Sequence, residues 1–260
     1  MIVAKKSLGQ HWLINRNSLQ AVVDAGNLSK NDVVLEVGPG EGVLTKPLCN
    51  RASRVIAVEL DEDLVRLLPK RVRANNLEII YEDILKFDTT ILPKNYKVVA
   101  NIPYYLTSHL IRTLLESLNP PSMMVLLMQK EVAERIAAKP GAMSMLSVSA
   151  QFYTDTELKQ VVPADHFDPI PKVDSQIIVL NRLEKPRFQR VDTKQFFQVV
   201  RAGFSARRKK LRSSLSGGLQ IPKQQIDQIL ELTDIDENAR AQELSLAQWY
   251  ELYKIIIENK

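Results

Sequence analysis

The first two thirds of the chain alternate between short β-branched runs and amphipathic stretches. Apolar runs at 33–37, 54–58, 77–81, 98–100 and 123–128 are bounded by turn formers, which predicts buried strands. Between them lie segments of helical period, one carrying Leu19, Val22 and Val23 behind a cap at Asn15 or Asn17, another over 43–49. Helices are also expected over 131–138 and 146–152, and two last strands over 158–162 and 176–181. Near residue 186 this rhythm stops. The rest reads as helices over 193–216, 222–233 and 246–258. The last is capped by Ser245 and carries Leu246, Trp249, Tyr250, Tyr253, Ile256 and Ile257 on one core-facing stripe. The pattern therefore predicts an α/β sheet domain over 1–186 and a small all-helical domain over 187–260.

Ligands of open α/β sheets bind beyond the carboxyl ends of the strands. The run 33–37 leads into Gly38, Gly40 and Gly42, a turn where the main chain can approach a cofactor closely. Its spacing is not G-x-G-x-x-G, which disfavours a nicotinamide dinucleotide. The run 54–58 ends in Glu59, Leu60 and Asp61, an acid about twenty positions after the glycines and so placed for ribose hydroxyls. The run 77–81 ends in Glu82, Asp83 and Ile84, where Asp83 suits an adenine amino group. Any one such acid is more often a helix cap; three successive strand ends with ligand-competent groups are far more specific.

The run 98–100 ends in Asn101, Ile102, Pro103 and Tyr104, with Pro103 stopping the strand. An exocyclic adenine nitrogen is a weak nucleophile because its lone pair is delocalised into the ring. Two acceptors, the Asn101 side-chain oxygen and the Ile102 carbonyl, would take its two N–H groups and favour a more tetrahedral nitrogen. Tyr104 would stack on a base flipped from its helix. By themselves the four residues fit equally well an Asn-Pro-type turn backed by a core tyrosine. Phe167, in a loop stiffened by Pro169 and Pro171, is expected to cover the other face of the base.

Charge adds a partner. The 260 residues carry a net charge of +5 with a pI near 9.2, which hints at an anionic partner. The segment 201–212 concentrates it: Arg201, Arg207, Arg208, Lys209, Lys210 and Arg212 are six cations in twelve residues with no acid. Read as one helix, it sets Arg201, Arg208 and Arg212 on one face, a phosphate-backbone contact site. The basic stretch 5–13 reads as a terminal arm or as a lid over a ligand. A single cysteine, Cys49, excludes a disulfide framework and a thiolate metal site, and points to a cytoplasmic protein without a metal. No signal peptide is expected, and the longest apolar run is too short to cross a bilayer.

Taken together, Leu8-Gly-Gln-His-Trp-Leu13, Glu36-Val-Gly-Pro-Gly40, Glu59-Leu-Asp61, the segment 82–88, Asn101-Ile-Pro-Tyr104, the segment 167–175 and the segment 204–212 resemble the KsgA/RsmA family of ribosomal RNA adenine dimethyltransferases. The resemblance covers essentially the whole chain. It implies a Rossmann-like class I methyltransferase sheet of seven strands, one antiparallel, with a small C-terminal helical domain. It implies S-adenosylmethionine as donor and, as targets, two adjacent adenines near the 3′ end of small-subunit rRNA in the immature subunit, with the enzyme a monomer. Carried over by position, Gln10, His11, Leu13, Gly38, Gly40, Glu59, Leu60, Asp83, Ile84 and Asn101 would contact the donor. Tyr104 and Phe167 would sandwich the base. His11 and Trp12 stand where many members have Asn and Phe, and Met143-Ser144 replaces a Tyr-Gly pair. An Erm-type enzyme acting on one large-subunit adenine shares Asn-Ile-Pro-Tyr; the 167–175 loop and the basic segment favour the small-subunit enzyme. A DNA adenine methyltransferase would need a larger target-recognition region. The intact site residues argue against a non-catalytic assembly factor.

Overall fold

The computed structural model describes residues 9–104 and 106–258, so residues 5–8 of the expected lid, and Tyr105, lie outside the described residues. In chain order the elements are β1 (Trp12–Leu13), α1 (Arg16–Ala25), β2 (Val33–Val37), α2 (Thr45–Arg51), β3 (Arg54–Glu59), α3 (Glu62–Arg71), β4 (Leu77–Tyr81), β5 (Lys97–Asn101), α4 (Thr107–Leu115) and β6 (Met123–Gln129). Then follow α5 (Lys130–Ile136), α6 (Met145–Tyr153), β7 (Thr154–Val162), β8 (Phe167–Asp168), β9 (Ser175–Arg182), α7 (Thr193–Phe204), α8 (Leu211–Leu219), α9 (Lys223–Leu232) and α10 (Leu246–Glu258).

Seven strands form one sheet in the order β4-β3-β2-β5-β6-β9-β7. The first five run parallel, and β9 lies antiparallel between β6 and β7. The expected Rossmann-like sheet with one antiparallel strand is present. β2, β3, β5 and β6 are near-continuously buried, as strands covered on both faces must be. The winding reverses between β2 and β5, which pair directly. A crevice therefore opens beyond their carboxyl ends, and both Gly38 and Asn101 line it. β1 and β8 make a separate two-stranded ribbon, pairing Trp12 with Asp168 and Leu13 with Phe167. The Ile14 N–H donates to the His166 carbonyl (2.9 Å), and Asn15 caps α1 through the Ser18 N–H (3.0 Å).

The chain divides into two compact units, Met1–Glu134 with Thr154–Arg182, and Arg135–Tyr153 with Leu183–Lys260. The single boundary expected near 186 is therefore replaced by a discontinuous division. The reason is burial: Met143, Val148 and Phe152 join Phe196, Phe197, Leu215, Trp249 and Ile256 in one apolar core. Ser245 caps α10 as expected, the Gln248 N–H donating to its hydroxyl (3.2 Å).

The expected helix over 193–216 is two helices. α7 stops at Phe204, residues 205–210 form a turn, and α8 starts at Leu211. Leu211 is fully buried and gives its N–H to the Ala239 carbonyl (2.7 Å), a bond incompatible with a continuing i→i−4 ladder. Four successive cations at 207–210 add repulsion along any helix there.

Candidate functional site

The site starts from the turn after β2. Gly38 has φ +65° and Gly40 φ +57°, a region that only glycine enters without strain. A Cβ at Gly38 would meet nothing within 4 Å, so the main chain there faces open space. A Cβ at Gly40 would meet the Trp12 indole at 3.1 Å, so Trp12 lies on this turn. The Gly40 N–H donates to Glu59 Oε2 (3.2 Å), while Glu59 Oε1 accepts from the N–H groups of Leu60 (2.9 Å) and Asp61 (3.0 Å). Three main-chain donors thus aim one buried carboxylate. Burial outweighs these bonds and holds the Glu59 carboxyl above its ordinary range.

Asp83 ends the neighbouring strand and accepts the Leu85 N–H (3.0 Å). Gln10 donates to Asp61 (3.3 Å), tying the N-terminal segment to the corner between β3 and α3. At the end of β5, the Asn101 side-chain Nδ2 donates to the His11 carbonyl (3.0 Å), which fixes the amide orientation and turns its oxygen away from that contact. The Ile102 N–H is pinned to the Leu127 carbonyl of β6 (3.2 Å). The Tyr104 hydroxyl is hydrogen-bonded to Ser175 Oγ of β9 (3.0 Å), and burial pushes its pKa up. The ring of His11 lies stacked on that of Tyr104, with Nδ1 against the Pro169 carbonyl (2.7 Å). Because a carbonyl only accepts, that nitrogen carries the proton.

One cavity is lined by the donor-contact set from Gln10 to Ile84 named from the sequence and by Asn101 through Tyr104. Phe167 does not join them. It is 1% exposed and packs in the apolar core with Leu13, Val22, Leu127 and Ile177. Pairing with β1 turns its side chain inward, and a large ring gains more from that burial than from a polar rim. The basic residues, all in the helical unit, do not form the expected single face either. Arg212 Nε is bound to Asp227 (2.6 Å) and Lys210 to Asn238, while Arg201 is exposed on α7 and Arg207, Arg208 and Lys209 are exposed on the 205–210 turn.

The cavity's charge was not legible from spacing. Its lining contains Glu36, Glu41, Glu59, Glu82 and Asp83 but no lysine or arginine. In a chain with net positive charge, a lining with acids and no lysine or arginine suits a positively charged ligand better than a phosphate. Glu36, 1% exposed, entered the sequence reading only as part of the Glu36–Gly40 motif and was given no role, although an acid inside an apolar strand two residues before Gly38 is a signal. Burial pushes its carboxyl up to about 8, with the charge of Glu59 adding to the effect and the Thr45 hydroxyl opposing it. Among the described residues Glu36 Oε2 has no hydrogen-bond partner. An orphaned buried carboxyl, a glycine turn open to the cavity and an aimed ribose-type acid fit a cationic nucleoside cofactor.

Comparison with known proteins agrees. The family described as Ribosomal RNA adenine dimethylase matches residues 1–258. The protein from Dehalococcoides mccartyi named Ribosomal RNA small subunit methyltransferase A is 43% identical over 260 residues, 98% of this chain and 89% of that protein. Its namesake from Geobacillus thermodenitrificans is 40% identical over 95% of this chain and 89% of its own length. Among solved structures, a dimethyladenosine transferase from Plasmodium falciparum superposes with a TM-score of 0.82 at 27% identity, covering 95% of this chain and 97% of that one. The 23S rRNA methyltransferase ErmE gives 0.77 at 26% identity over 94% and 98%. By a match that runs almost from end to end, this chain belongs to the ribosomal RNA adenine dimethylase family.

Proposed function

We propose that the chain transfers methyl groups from S-adenosylmethionine to the exocyclic N6 of two adjacent adenines near the 3′ end of small-subunit rRNA, giving N6,N6-dimethyladenosines in the maturing subunit. The supporting observation is one cavity lined by the Gly38–Gly40 turn, Glu59 and Asp83 together with the Asn101–Tyr104 turn. The names of the 40–43% identical relatives point to the small subunit.

When bound, S-adenosylmethionine supplies a methyl group already activated by positively charged sulfur. Glu59 holds the ribose, Asp83 the cofactor's adenine, and Gly38 and Gly40 let the main chain lie against the methionine part. The Asn101 oxygen and the Ile102 carbonyl hold the two N–H groups of the target nitrogen and line its lone pair up with the methyl. The methylated ammonium sheds its proton readily, so an amide suffices at position 101 where a general base would otherwise stand. Tyr104 stacks on the base. A second transfer needs only rotation of the monomethylated amine between the same acceptors. The exposed cations Arg201, Arg207, Arg208 and Lys209 contact the phosphate backbone.

The test is to incubate the protein with labelled donor and either undermethylated small subunits, large subunits or bare rRNA, and map the product. Two adjacent dimethyladenosines in the small-subunit RNA are expected. A single modified adenine in the large-subunit RNA would assign the chain to the ErmE-like activity instead.

A further inference from the structure

S-adenosylmethionine and the product it leaves differ by one methyl group and one positive charge, because the sulfur is cationic before transfer and neutral after it. A group that feels that charge can tell donor from product. The cavity lining holds several acids, and one of them differs from the rest. Glu36 is 1% exposed, and among the described residues its Oε2 has no hydrogen-bond partner. Glu59 accepts three main-chain N–H groups, and Glu41 is bound to Arg71 (2.7 Å). Glu82 and Asp83 lie past the end of β4, which β3 separates from β2.

The groups facing Glu36 are the Glu59 carboxyl from β3 and the Thr45 hydroxyl and Cys49 thiol from α2. On β5, Lys97 stands in register with Val34 and is bound to Asp32 (3.2 Å), so it does not serve Glu36. Burial among such neighbours pushes the Glu36 carboxyl up to about 8, and the free chain at neutral pH holds it protonated.

We propose that Glu36 distinguishes donor from product by charge: the cationic donor binds with loss of the Glu36 proton, and the neutral product binds without that loss. This rests on the reading of the cavity as the S-adenosylmethionine site. The proton passes from the carboxyl to solvent as the donor binds, and one returns when the product takes the donor's place. In a wall that also holds Val37, Val58 and Leu64, charges are weakly screened, so the carboxyl and the sulfur need not touch. The sign follows from linkage. A ligand that favours the ionised carboxyl binds more tightly as pH rises, and its affinity levels off above about 8.

The experiment is titration calorimetry of the full chain with S-adenosylmethionine and, separately, with its demethylated product S-adenosylhomocysteine. Two buffers of different ionisation enthalpy give the protons released, and a pH series gives the affinities. Both ligands carry the same α-amino group, which titrates in this range, so the difference between them isolates the sulfur charge. The donor is expected to release up to about one proton more than the product near neutral pH. The ratio of product Kd to donor Kd is expected to rise by about threefold to tenfold between about pH 6 and pH 8. Glu36→Gln, which keeps the shape and cannot ionise, is expected to remove the proton difference and flatten the ratio. Thr45→Val, which removes a hydroxyl that favours the ionised carboxyl, is expected to move the midpoint to higher pH. Equal proton release by the two ligands in the unaltered chain overturns the proposal. So does an undiminished difference in the glutamine variant or, should that variant fail to fold, an unmoved midpoint in the valine variant. Failure of both ligands to bind would instead sink the cofactor reading, which separates the two failures.

Discussion

Gly40 and Glu59 are joined by a hydrogen bond of 3.2 Å, glycine N–H to carboxylate Oε2, across nineteen residues of chain. With Leu60 and Asp61 holding Oε1, three of the roughly four acceptor positions of the carboxylate are filled by main chain. One direction, on Oε2, remains for a ligand hydroxyl. The sequence suggested an acid free to take both hydroxyls of a ribose; the folded chain spends most of its capacity on rigidity. Glu59→Gln cannot repeat the arrangement, because its amide nitrogen would face a donor. Donor affinity is expected to fall by about tenfold or more, read by titration calorimetry, with a lowered melting temperature.

Asn101→Ala removes an acceptor from the target nitrogen and also frees the His11 carbonyl. Transfer is expected to fall by about a hundredfold or more, while donor affinity changes by less than about threefold. Single-turnover rates beside equilibrium binding make the distinction. Retained turnover would contradict the role given to the amide.

Glu36 couples stability to pH. Its folded carboxyl titrates near 8 and its unfolded one near 4.5, so between these values the folded chain holds a proton that the unfolded chain has lost. Stability from this group is therefore highest below about pH 4.5 and declines as pH rises toward 8. The decline is on the order of a few kcal/mol. Glu36→Gln, neutral throughout, is expected to flatten it, with urea melts at pH 5, 6.5 and 8 as the measurement. An equally steep profile in the variant would place the coupling elsewhere.

Arg207 and Arg208 sit on an exposed turn, so reversing their charge should leave the fold intact. The double change to glutamate is expected to weaken binding to small-subunit particles and to lower the slope of log affinity against log salt by about 1 to 2. Arg212→Ala should act differently, because its partner is Asp227 within the same unit. A lower melting temperature with a nearly unchanged salt slope is the expected result.

The sheet and the cavity were legible in the sequence because both depend on local pattern. Buried strands write themselves as apolar runs, and a glycine turn followed by an acid twenty residues on is a short-range signature. What escaped was set by partners distant in the chain. Phe167 looked like a loop aromatic until β8 paired with β1, and its burial follows from that register alone. The basic segment kept a helical period through 216, yet Leu211 is claimed by Ala239, twenty-eight residues away. The acidic lining of the cavity came from adding up side chains at three strand ends, of which sequence position pointed to Glu59 and Asp83 but not to Glu36 or Glu41.

The split of the helical unit has a consequence for synthesis. Helix α6 leaves the ribosome well before α7 and α10, the helices that bury Phe152 and Val148. Until then its apolar face has no home, and the nascent chain must first complete β7 and β9. The sheet unit is complete once Arg182 is made, but the helical unit, begun before β7, has to wait for the last segment of the chain. Cutting the gene at any one point would therefore orphan a surface, so this protein is expected to be made, and to be lost, whole.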